Sequence, residues 1–102
     1  MAYISFDPRT KFNIKLYTGT GSAASITGVE FQPDWVWVKD RSASNSHQLS
    51  DVLRGATKTW FTDAAAAETT DAQRLTSFDS DGFSIGTNSS WNTSSNNYVA
   101  WQ

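Results

Sequence analysis

A chain of 102 residues has room for one domain and not for two comfortable ones. Its eight basic and ten acidic residues, net charge −2, lie scattered without runs, so no basic footprint for nucleic acid is present, and no apolar stretch nears the ~20 residues of a membrane-spanning helix. Without cysteine and with one histidine there is neither a disulfide framework nor a transition-metal ligand set, so no cofactor and no metal is expected.

Hydrophobic residues make up 38% of the chain and aromatics 14%, with five Trp. The core must therefore come from few, large side chains. A domain this small buries only about 60–65% of its unfolded surface, which makes a partner chain a natural source of added stability.

In chain order, residues 1–11 read as an N-terminal arm and 12–102 as the folded module. Tyr3-Ile4-Ser5-Phe6 alternates weakly before Asp7-Pro8 breaks the pattern. The segment is either an arm docking on a neighbour, with Tyr3 and Phe6 as contacts, or a short edge strand. The opening lacks the basic start and apolar block of a signal peptide. Phe12 to Thr18 alternates, with Phe12, Ile14 and Leu16 on one side as in a half-buried strand. Thr18 to Ser22 is turn chemistry, and Ala24 to Thr27 is a short strand. Phe31 to Arg41, FQPDWVWVKDR, is the stretch around which the chain is organised. Consecutive Trp35-Val36-Trp37-Val38 are apolar on both faces, so a central strand is expected. Trp35 and Trp37 are read as pointing to opposite faces, one into the core and one toward a second sheet or a neighbouring subunit.

Ser42 to Ser46 is a polar turn. His47 to Val52 forms a further strand with Leu49 and Val52 inward, and Thr57 to Thr62 another. The DAAAAETTD stretch admits at most one short helical turn, near Asp63–Glu68, because it has no apolar periodicity. Leu75–Phe78 and Gly82–Gly86 form a hairpin about Asp79-Ser80-Asp81-Gly82, with Leu75, Phe83 and Ile85 in the core. Thr87 to Asn97 is a polar loop holding Trp91, and Tyr98 to Trp101 is the last strand. Many short strands without crossover helices predict an all-β protein: a single antiparallel β-sandwich.

Chemistry is sparse. Asp79-Ser80-Asp81-Gly82 opens like a calcium loop, but no later carboxylate completes it, so the hairpin is preferred. Asp34, Asp51 and Glu30 do not declare an opposed acid–base pair, and no GxSxG elbow surrounds any serine. No catalytic residue is expected. Four Trp lie in predicted strands and read as core or interface. Trp91, among Ser, Asn and Thr, is the exception. It is either an exposed sugar or partner anchor, with Asn92 beside it, or it folds back to cap the sandwich. Asn88-Ser89-Ser90 and Asn92-Thr93-Ser94 match glycosylation acceptors but read as turn residues.

Six segments, LYTGTGS, ITGVEFQPDWVWVKDRS, SHQLSDVLRGAT, AETT, LTSFDSDGFSIG and YVAW, together with the opening MAYISFDPRTKFN, resemble in order a family of phage virion and tail-fibre structural proteins. The family is loosely described as concanavalin- or lectin-like. The resemblance implies a jelly-roll-like sandwich without catalytic residues, self-associating as a homotrimer. It would be made in the host cytoplasm and carried in the virion. In that family the YVAW strand runs on into further residues, so the implied role is the N-terminal anchoring domain of a longer fibre, attached to other tail or capsid proteins. The alternative is a carbohydrate-binding module for host-surface glycans, with Trp91 as platform.

Overall fold

The computed structural model describes Ser5 and residues 7–102; the readings of Tyr3 and Phe6 lie outside the described residues. Among these, nine strands form two antiparallel sheets. They are β1 (Ile14–Thr18), β2 (Ala24–Ile26), β3 (Trp35–Asp40), β4 (Gln48–Asp51), β5 (Lys58–Phe61), β6 (Thr69–Thr70), β7 (Leu75–Asp79), β8 (Gly82–Ile85) and β9 (Asn97–Trp101). The larger sheet runs β1-β9-β3-β4-β5-β6 and the smaller β2-β8-β7. A 3-10 turn, Pro8–Thr10, and a one-turn helix α1, Ser89–Asn92, complete the secondary structure.

The protein is an antiparallel β-sandwich. Its core joins Val36, Val38, Tyr98 and Ala100 of the larger sheet to Ile26, Leu75, Phe83 and Ile85 of the smaller, with Trp91 between them. The organising stretch is the inner strand its sequence predicts: β3 lies between β9 and β4. The hairpin also forms, with Phe78 opposite Phe83 and Asp79 opposite Gly82. Glycine is needed at 82 because a Cβ there would collide with the Ile26 carbonyl on the neighbouring strand.

Three local expectations are corrected. Trp35 and Trp37 do not take opposite faces; they share the outer face of the larger sheet, while Val36 and Val38 turn inward. Residues two apart on a strand must share a face, so the pair moves together. In β1 the apolar set lies outside: Ile14 is 52% and Leu16 60% exposed. Tyr17 takes the inner side instead, stacked on Tyr98 at 5.0 Å and 9°, its hydroxyl donating to the Trp91 carbonyl at 2.9 Å. In β4, Gln48 and Ser50 are buried rather than Leu49, and Val52 is exposed. Both inward polar groups are satisfied: Gln48 accepts from the Trp91 indole at 2.8 Å, and Ser50 bonds Thr59 at 3.1 Å.

Asp63–Glu68 is a loop with no helical turn, within the at-most-one-turn expected there. An alanine run without an apolar stripe has nothing to bury and is too short to persist alone. Instead Thr69–Thr70 pairs with β5. The helical turn forms at α1, where the Asn88 side chain accepts from the Ser90 N–H at 2.8 Å as N-cap, and where Trp91 is carried into the core.

Candidate functional site

The sites expected in the Thr87–Asn97 loop are structural. Trp91 is fully buried and is no surface platform; it caps the sandwich, the other reading its sequence allows. Asn92 is buried as well. Its amide donates to the carbonyls of Ser22 at 2.6 Å and Gly86 at 2.9 Å, and its Oδ1 accepts from the Thr20 N–H at 2.7 Å. A side chain with its donors and acceptor engaged inside the fold is not available to a glycan or a partner.

The exposed aromatics lie elsewhere. The ladder sets Ile14 opposite Trp101, Trp101 opposite Trp37, Trp37 opposite Leu49, and Leu49 opposite Trp60. These five side chains form one apolar row across five strands on the outer face of the larger sheet. At about 4.8 Å per strand the row is roughly 19 Å long. Leu16 and Val99 stand beside it in the next register, and Trp35 opposite Asp51 on the other side. Four of the five Trp are therefore on the outside of the sandwich, and the one predicted in a polar loop is its core.

The row is held in place by its neighbours. The Trp37 indole donates to Thr62 Oγ1 at 3.0 Å, and its ring lies 5.2 Å from that of Trp101. Trp35 packs against Phe12, ring centroids 6.3 Å apart. The Arg54 guanidinium sits 4.5 Å over Trp60 and pairs with Asp51 at 2.5 Å and Glu68 at 3.2 Å. Lys39 donates to the carbonyls of Ala43 and Asn45. The charges nearest the row are thus engaged within the molecule.

Two open cavities flank Trp35. One of about 620 Å³ is lined by Trp35, Trp37, Leu49, Asp51 and Thr62. The other, about 360 Å³, includes Lys11, Phe12, Gln32, Asp34, Trp35 and Gln102 in its walls. Gln102 is only 3% exposed, yet neither its Nε2 nor its Oε1 has a hydrogen-bond partner. The carboxylates weighed for acid–base chemistry are separated: Asp51 lines the larger cavity, Asp34 the smaller, and Glu30 lies by Arg9 at 4.0 Å. In the hairpin, Asp81 accepts from the N–H groups of Gly28 and Glu30 at 3.0 and 2.8 Å, bonds that hold its carboxyl below the usual carboxylate range. Among the described residues no cluster of three or more His, Cys, Asp or Glu is placed to hold a metal.

Parity was the signal for the outer site. Trp35 and Trp37 necessarily share a face, and Gln48 and Ser50 alternate with Leu49. Sequence did not reveal which of two apolar faces of β3 would be covered. Compared with known proteins, the chain matches one family model, described as a domain of unknown function (DUF7483), over residues 7–102. No curated protein and no solved structure matches it.

Proposed function

The chain belongs to this DUF7483 family, and because that description assigns no activity, we propose from its surface and its resemblance that it is a non-enzymatic virion structural module. In this reading it is the N-terminal anchoring domain of a phage tail fibre. It self-associates as a homotrimer and attaches the fibre to the tail or capsid. The segment resemblance supports the phage setting. The observation that carries the assembly role is the exposed apolar end of the larger sheet: Phe12, Ile14 and Leu16, 48%, 52% and 60% exposed, on and beside the terminal strand β1. Such residues on a solvated strand are a liability unless another chain covers them.

Sedimentation velocity over rising concentration is expected to give a trimer. Leu16→Asp is expected to release monomers with unchanged circular dichroism. A wild-type chain that stays monomeric at about 1 mM, where even a millimolar contact would half-associate, overturns the assembly reading. The phage setting is tested separately. An antiserum to the chain should label an appendage on virions of the phage encoding it, and unlabelled virions would refute that part.

A further inference from the structure

We propose that the two cavities flanking Trp35 form one binding site for a neutral oligosaccharide, with Trp35 and Trp37 as the ring platform and Asp51 and Gln102 as hydroxyl-binding groups. The inference does not rest on the virion reading or on self-association, although Phe12, at the apolar end of the sheet, also lines the smaller cavity.

The size is that of a small-ligand site: cavities of about 620 and 360 Å³ meet at one indole, within the ~300–1,000 Å³ usual for such sites. The larger cavity is mostly apolar, with Trp35, Trp37 and Leu49 beside Asp51 and Thr62, and the smaller adds the polar groups, Gln32 and Gln102 among them. Indole faces are apolar, as are the C–H faces of pyranose rings, and the two stack. The platform is already built. Trp37 is pinned by Thr62 and Trp101, and Trp35 by Phe12, so little side-chain freedom is lost on binding.

The polar groups favour hydroxyls. The Gln102 amide carries donors and an acceptor, all unpartnered, though its backbone is fixed by two bonds to Asn13. A hydroxyl is donor and acceptor in one group and matches it. Asp51 is oriented by the N–H and guanidinium of Arg54, and its carboxylate oxygens keep further lone pairs for ligand O–H groups.

Charge argues for a neutral ligand. Arg54 pairs with both Asp51 and Glu68, which leaves an excess of one negative charge, and the smaller cavity holds one cation and one carboxylate, Lys11 and Asp34. Neither sign dominates, so nothing selects an ionic ligand.

The test is a glycan array probed with the labelled full chain, followed by tryptophan-fluorescence titrations with cellohexaose, maltohexaose and chitohexaose. At least one neutral glycan is expected to bind, with affinity nearly constant from about 50 to about 500 mM NaCl. Trp35→Ala should weaken binding about tenfold or more, Gln102→Leu and Asp51→Asn about threefold or more, and Ser44→Ala, in the turn beyond the other end of β3, not at all. Circular dichroism confirms that each variant is folded, and Trp35→Phe is expected to recover part of the loss. No binding on the array overturns the proposal, as does binding that a folded Trp35→Ala leaves unchanged. A preference for sulfated or sialylated glycans that vanishes at high salt overturns the neutral ligand class. If Trp35→Ala changes sedimentation but no glycan binding, the cavities belong to a protein contact and the proposal fails.

Discussion

Asn92 joins three segments through one side chain, the Thr20–Ser22 turn, the end of β8 and its own helix. Leaving buried donors and acceptors unpaired costs about 1–3 kcal/mol per group, less than additively. Asn92→Ala is therefore expected to lower unfolding stability by about 3 kcal/mol in urea titration; a loss below ~1 kcal/mol would show the contacts to be dispensable. Gln48 and Trp91 form the matching pair across the core, indole to amide oxygen at 2.8 Å. Trp91→Phe should lose about 1–2 kcal/mol and strand the Gln48 amide. Gln48→Met in the same background should recover part of it, because the stranded polar group is then gone. A double-mutant cycle with no coupling between the two positions would exclude that account.

At the scale of elements, β1 is governed by Tyr17 rather than by its aliphatic residues. A strand can bury only one parity, and a one-residue slip would exchange every side chain. Burial of 15 and 17 gains the Tyr17–Tyr98 stack and the hydroxyl bond to Trp91. Burial pushes the Tyr17 phenol well above its ordinary range, so the group remains a neutral donor. In the monomer, Leu16→Ser should then change stability by less than about 0.5 kcal/mol, as exposed positions do. Tyr17→Leu should cost about 1–3 kcal/mol. Urea unfolding under dissociating dilution measures both, and the reverse ranking would mean that β1 is registered the other way. Helix α1 makes the same point for a loop. Its cap and hydrogen bonds are local, yet its reason for existing is to place Trp91 in the core.

For the whole molecule, acid is the expected route of unfolding. Asp40 is buried at the end of β3, where it accepts from the Ser42 N–H and from the amides of Asn45 and Asn96 at 2.8–2.9 Å. Burial alone would raise its pKa, but these donors outweigh it and hold the carboxyl below the usual range. The folded state therefore releases this proton more readily than the unfolded chain. The stabilisation is present above the ordinary Asp pKa of about 3.9 and is lost as pH falls through the lower, folded value. Asp81 and Asp7 shift the same way, through backbone N–H groups and through Arg9 respectively. Stability should thus be flat near neutrality and fall below about pH 4. Asp40→Asn should flatten that acid limb, and an unchanged pH profile would remove Asp40 as its cause.

The sequence by itself determined the fold class, the central place of Trp35–Val38, the Phe78–Phe83 hairpin and most strand positions. These follow from β-branched and aromatic content, turn residues and period-two alternation, all local properties of the chain. It did not determine which side of each strand faces in. Val36/Val38 and Trp35/Trp37 are both apolar sets that a local pattern cannot rank, and in β1 the pattern ranks Ile14/Leu16 above Lys15/Tyr17 although the second pair faces in. Nor could it show that Gln48 and Ser50 would be tolerable inside, because their partners Trp91 and Thr59 lie 43 and 9 residues away. Only the packing of the two sheets decided these choices. In deciding them it buried Trp91, which its polar neighbours left open between surface anchor and cap, and laid the other four on the outer face.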